Sequence, residues 1–167
     1  AWDHQNGSFK AGYVSRDVSV KFDSFSHSTI SIGKDIATTG RNSGVFGGDT
    51  NTIDGNYSVI IGGKDNSVTG DYSVVVGGDR ERVHKGYVAN IGSQENIVSS
   101  NYAVLLSSEK NKLSGKYQTI IGDNNVISGS DIFVYGDNNQ VNADNVMVMG
   151  KASNVDFNNS WIVNMSS

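Results

Sequence analysis

The chain has 167 residues, a single-domain length, with 20 Gly, 19 Asn and neither Pro nor Cys. Without cysteine there is no disulfide framework and no thiolate metal site, and a net charge of −4 with a pI near 5.2 speaks against a nucleic-acid binder. Abundant Val, Ile and Tyr at low net charge speak against disorder, and no apolar run is long enough for a transmembrane helix.

Residues 1–27 are expected to form an N-terminal cap or tip segment. They begin at Ala1 without a charged-then-apolar leader, which suggests a processed or excised piece. Val18-Ser19-Val20-Lys21-Phe22 alternates like a half-exposed strand, and Trp2, Phe9, Tyr13 and Phe25 are suited to covering an open solenoid edge.

From about residue 28 onward the chain repeats itself. A Gly that follows an apolar run recurs at Gly33, Gly47, Gly62, Gly77 and Gly92, then as Ser107, then at Gly122, Gly136 and Gly150, in steps of 14 or 15 residues. Before each anchor lies a five-residue strand such as Tyr57-Ser58-Val59-Ile60-Ile61, Tyr72-Ser73-Val74-Val75-Val76 or Tyr102-Ala103-Val104-Leu105-Leu106. A second, weaker piece centres on one aliphatic: Ile53, Val68, Val83, Val98, Leu113, Ile127, Val141 or Val155. Gly, Asn, Asp and Ser between them supply turns. Two short strands per unit bury nothing alone, so the units are predicted to stack as coils of a parallel solenoid, about nine of them over ~45 Å. Absence of Pro fits, since it would remove a ladder hydrogen bond.

Both faces of the first strand are aliphatic. One carries Val59, Ile61, Val74, Val76, Val104, Leu106, Ile121 and Phe133, and the other Ile60, Val75, Leu105, Ile120, Val134 and Val148. One face fills the coil; the other must meet something else, most simply another copy of the chain. Which face is which is open at this level.

The strand–glycine units resemble the N-S-V-A-I-G repeat in head domains of YadA-type trimeric autotransporter adhesins. The matching segments are Asn42-Ser43-Gly44-Val45-Phe46-Gly47, Tyr57-Ser58-Val59-Ile60-Ile61-Gly62 and Tyr72-Ser73-Val74-Val75-Val76-Gly77, within a resemblance spanning roughly residues 28–164. Gly55, Gly70, Gly86, Gly115 and Gly129, ahead of the strands, fit the same pattern. The resemblance implies an all-β, left-handed parallel β-roll, a homotrimer, on the bacterial cell surface. It further implies an outer-membrane anchor through parts absent from this chain. Partners implied are host surface proteins such as CEACAM-type receptors, or matrix proteins such as collagen or fibronectin, with no membrane contact by this segment. This chain departs from the motif in replacing its small Ala by Ile60, Val75, Leu105, Ile120 and Val134, its leading Asn by Tyr in five units, and one anchor Gly by Ser107. The alternative is a purely structural solenoid segment of a surface or phage fibre.

Candidate contact residues fall into two groups. Tyr57, Tyr72, Tyr87, Tyr102 and Tyr117 recur at identical spacing, which fits rim packing or an aromatic ligand stripe. Asn51, Asn66, Asn96, Asn111, Asn125, Asn139 and Asn154 read as a structural ladder, interrupted where Asp79-Arg80-Glu81-Arg82-Val83-His84-Lys85 brings charges. Arg80, Glu81, Arg82, His84 and Lys85 are therefore the polar contact candidates, with Glu95, Glu109 and Lys110 on adjacent coils. His4, His27 and His84 lack ligand spacing, so no metal and no cofactor are expected. Asp123, Asp131 and Asp137 are the carboxylates available for catalysis, but coils this short make a thin rod without a pocket, and no enzyme is expected.

Overall fold

The computed structural model describes Trp2, Asp3, Gln5, residues 7–13 and residues 28–164. Every repeat unit pairs with the units before and after it through parallel main-chain bonds. One arm stacks Ile30–Lys34, Gly44–Asp49, Val59–Ile61, Val74–Val76 and Val88–Ile91, and ends with Val146–Gly150 and Ser160–Asn164. The other stacks Ala37–Thr38, Thr52–Ile53, Ser67–Val68 and Arg82–Val83, and ends with Gln140–Asn142 and Asn154–Val155. In three middle coils the arms join into strands Ile97–Leu106, Lys112–Ile121 and Val126–Tyr135. The described residues are all-β, with no helix, in a β-solenoid of about nine coils.

At the N-terminal end Ser8–Tyr13 pairs in parallel with Ile30–Lys34, while Trp2–Asp3 crosses it antiparallel. That reversal stops the parallel stack from growing, and the Trp2 and Phe9 rings meet at 6.4 Å. The strand expected at Val18–Phe22, and Phe25, lie outside the described residues.

The interior is a set of columns running along the rod. Val45, Ile60, Val75, Leu105, Ile120, Val134 and Val148 form one, and Ile53, Val68, Val83, Val98, Leu113, Ile127, Val141 and Val155 another, all buried. The inward face is therefore the Ile60 face, and the Val59 and Ile61 face points out. Ser43, Ser58 and Ser73 occupy a third column, where each Oγ accepts from the next coil's N–H; the column continues with Val88, Ala103, the buried Gln118, whose Nε2 donates to Ser114 O and Gly129 O, then Ile132 and Val146.

A fourth column is polar. Each Asn accepts the next coil's N–H on Oδ1 and donates Nδ2 to a turn carbonyl. Asn111 Oδ1 thus accepts from Asn125 N at 2.7 Å while its Nδ2 donates to Gly122 O at 2.9 Å. The members are Asn51, Asn66, Asn96, Asn111, Asn125 and Asn139, and the eighth place is held by Ser153, whose N–H donates to Asn139 Oδ1 at 2.9 Å. Asn154, expected in this ladder, sits one residue further on and faces out, because the last coils are a residue shorter.

The extra residue of the longer coils is Gly62 or Gly77, where a Cβ would meet nothing within 4 Å. Ser107 stands in the same column at φ 46°, so the apparent loss of an anchor glycine costs the packing nothing. The tight position is the next one: a Cβ on Gly63 would lie 2.4 Å from Gly78 O, and in the shorter coils one on Gly122 would lie 2.2 Å from Gly136 O.

Candidate functional site

The charged stretch at residues 79–85 is divided among three environments by strand alternation. Arg80 and Arg82 leave on one side of the rod. Arg80 bonds Glu95 on the next coil and lies 3.5 Å from Asp79, and these anions raise its pKa. Arg82 Nη1 donates to Asp65 O and to Glu81 O. Together with Thr50, Thr52, Asp65, Asn66 and Ser67 they line a shallow hollow of about 360 Å³. Lys110 pairs with Glu109 beyond it.

Glu81 goes inward and is 0% exposed. It was a surface-contact candidate, and its burial removes it from that role. It fills the Asn column, with its N–H donating to Asn66 Oδ1 at 2.9 Å. Its carboxyl meets Asn90 Nδ2 at 2.5 Å and Asn96 Nδ2 at 3.2 Å. Burial pushes its pKa up to about 7, against the opposing pull of the Asn90 and Asn96 hydrogen bonds and of Arg82.

His84 and Lys85 emerge on the opposite side, at the turn that leads into the tyrosine column. There Tyr57, Tyr72, Tyr87, Tyr102 and Tyr117 form a continuous stack. Ring centroids are 4.7–5.0 Å apart and interplanar angles 5–19°. All five have left-handed φ, between 52° and 61°, a conformation that Asn42, Asn145 and Asn159 adopt at the same coil position. Each ring is about half exposed, so packing and accessibility coexist: faces are spent on neighbouring rings, while edges and hydroxyls face water.

A second hollow of about 360 Å³ joins the two candidate groups. It is lined by Thr69, Asp71, Tyr72, His84, Lys85, Tyr87 and Asn101, with the backbone of Gly70 and Gly86 as floor. The expectation of a rod without concavities is thus corrected at this coil. Its cause is local: Lys85 stands where Gly40, Gly55 and Gly70 sit in the preceding coils and the small, buried Ser100 in the next, so this turn carries a long exposed side chain that its neighbours lack. The sequence singled out both residue groups but not their meeting, because that depends on which way each residue of the turn points.

Asp123, Asp137 and Asp71 act as turn clamps. Asp123 accepts from Glu109 N at 2.8 Å, Asp137 from Asp123 N at 3.1 Å, and Asp71 from Asn56 N at 2.7 Å. Lys151, 2.8 Å away, holds the Asp137 pKa down. Asp131 occupies the coil position of the tyrosines. Among the described residues no three His, Asp or Glu side chains converge as a metal site.

The outward face of the first arm is the remaining candidate surface. Along it Ile32, Phe46, Ile61, Val74, Ile91, Val104 and Met149 are exposed, and Val59, Val76, Leu106, Ile121, Phe133 and Met147 half-buried. At the C-terminal coil Trp161 is 80% exposed.

A scan against protein-family models finds no match to this chain, and no curated protein matches its sequence.

Proposed function

We propose that this chain is the head of a bacterial surface adhesin. In this reading it is a homotrimeric, left-handed β-roll of the YadA type, held at the outer membrane by other parts of the protein. It binds a host surface receptor or matrix component. The observation that carries the reading is the outward apolar face. One row of aliphatic and aromatic side chains runs unbroken from Ile32 to Val163, and a second, from Ile30 to Trp161, is interrupted at Gly44 and Thr119. A stripe of that length exceeds what a monomer leaves in water, and identical chains related by a rotation axis cover it self-consistently. Three copies follow from the resemblance of the repeat to the trimeric heads.

Recognition then falls to the turns, which stay outside such an interface. A rigid rod with three copies of each turn converts weak contacts into useful avidity. Two measurements test this. Sedimentation gives the mass: about three times 17.8 kDa is expected, and a stable monomer removes the trimeric head. Binding of the assembled chain to host cells and to immobilised matrix proteins is expected to saturate. A trimer that binds neither leaves the structural-fibre alternative in its place.

A further inference from the structure

We infer that the hollow at the Tyr72–Tyr87 step is a binding site for an acidic carbohydrate, with Lys85 and His84 meeting a carboxylate or sulfate and the tyrosine edges and neighbouring polar groups meeting ring hydroxyls. This rests on the adhesin reading and names the chemistry of its receptor.

Residue types in the hollow carry the argument. Lys85 only donates; Thr69, Asn101 and the tyrosine hydroxyls both donate and accept, and the His84 imidazole offers two ring nitrogens to the same partners. A sugar offers closely spaced hydroxyls that donate and accept in turn, and this lining answers them. A peptide anchor would instead seek a desolvated apolar pocket, and here no aliphatic side chain lines the hollow.

Charge favours an acidic sugar. Among the described residues Lys85 and His84 take part in no ion pair, unlike Lys34, Arg80, Lys110 and Lys151. Asp71, the hollow's one carboxylate, is turned to the preceding coil, where Oδ1 accepts from Asn56 N at 2.7 Å and from Asn56 Nδ2 at 3.2 Å. Lys116, aligned with Asn101 on the following coil, adds a cation beside the hollow. The cation is what sets this step apart, since the next coil has buried Ser100 at the Lys85 position beside the Tyr87–Tyr102 stack. It lies at the turn, where the tyrosine column borders the apolar face assigned to self-association, as Tyr117 does beside Phe133 and Met147.

The test is an NMR titration of the assembled chain with a sialylated trisaccharide, a glucuronate disaccharide and uncharged lactose. Expected are shifts of the Tyr72 and Tyr87 ring signals with at least one acidic sugar, weakening as salt rises, and none with lactose at equal concentration. Lys85→Ala is expected to weaken binding about tenfold or more, while Lys85→Arg and Arg80→Ala stay within about twofold. The Lys85 side chain is exposed, so unchanged circular dichroism and melting will show that each variant folds. Equal binding of lactose, indifference to Lys85→Ala, or no shift with either acidic sugar overturns the inference. A cell-binding arm separates the two readings. Attachment that survives enzymatic removal of acidic sugars keeps the adhesin and removes this site; sugar binding without attachment does the reverse.

Discussion

Glu81 and Asn90 lie nine residues apart in sequence and in different interior columns, yet Asn90 Nδ2 meets the Glu81 carboxyl at 2.5 Å. Each is the odd member of its column: Glu81 stands among asparagines, and Asn90 between Val75 and Leu105. Each departure would be costly alone, since it buries a charge or an amide without a partner. Together they form one polar contact between two interior columns. The Asn90 Oδ1 atom is buried with no partner, so the contact satisfies this amide on its donor side only.

That pair sets a pH dependence. With a folded pKa of about 7 against an ordinary 4.5, native Glu81 holds its proton where the unfolded chain has lost it. Its contribution to stability is therefore complete below about pH 4.5 and is lost as pH rises through about 7, a span worth about 3 kcal/mol. Urea unfolding at intervals from pH 4.5 to 8 is expected to show this decline, and Glu81→Gln to flatten it. A wild-type curve parallel to that of Glu81→Gln would mean that Glu81 is ionised throughout.

A double-mutant cycle tests the coupling. Asn90→Val strips a donor from a buried carboxyl and is expected to destabilise by about 2 kcal/mol at pH 8, and Glu81→Asn to strand Asn90 at about 1 kcal/mol. The double variant restores the regular columns and is expected to match or exceed wild type, giving a coupling above about 1 kcal/mol. Additive losses in unfolding midpoints would show two independent sites.

The tyrosine stack is expected to stabilise the rod. Tyr87→Asn suits the left-handed backbone but deletes two ring contacts, at 5.0 and 4.7 Å. A loss of about 1–2 kcal/mol is expected, and roughly half that for Tyr57→Asn at the end of the stack. Thermal melts compare them, and near-ultraviolet circular dichroism reports the stack itself. Equal melting of both variants with wild type would show that the backbone preference of Asn outweighs stacking.

Two glycines make a controlled pair. Gly70→Ala would place a Cβ 1.9 Å from Lys85 O, and Gly62→Ala places one in open space at φ +70°. The first is expected to prevent folding or cost more than about 3 kcal/mol, because the coil spacing is fixed by main-chain bonds. The second is expected to cost about 1 kcal/mol of backbone strain. Expression and unfolding midpoints rank them.

On the outward face, Ile91→Lys is expected to leave the coil intact and weaken self-association, read as a lower sedimentation mass at unchanged far-ultraviolet circular dichroism. Loss of the fold instead would make Ile91 a core residue, against its 42% exposure.

Sequence alone determined the coil. A period of 14 or 15 residues, strands of Val, Ile and Tyr, and glycine-bearing turns leave a stacked parallel arrangement as the way to bury such short strands, and the aliphatic columns appear at the expected positions. It also marked the coil at residues 79–85 as the one that departs from the rest. Tertiary structure decided what depends on direction. The Ile60 row turns inward, the Val59 and Ile61 row outward, and a two-residue alternation says only that they differ. It placed Ser153 rather than Asn154 in the polar column, because turn length shifts register by one residue, and a one-residue shift exchanges inside for outside. The same alternation sent Glu81 into the interior to meet Asn90, carried Arg80 and Arg82 to one side, and brought His84 and Lys85 beside the tyrosines. Glu81 and Asn90 meet because the columns they interrupt are neighbours only in the folded coil.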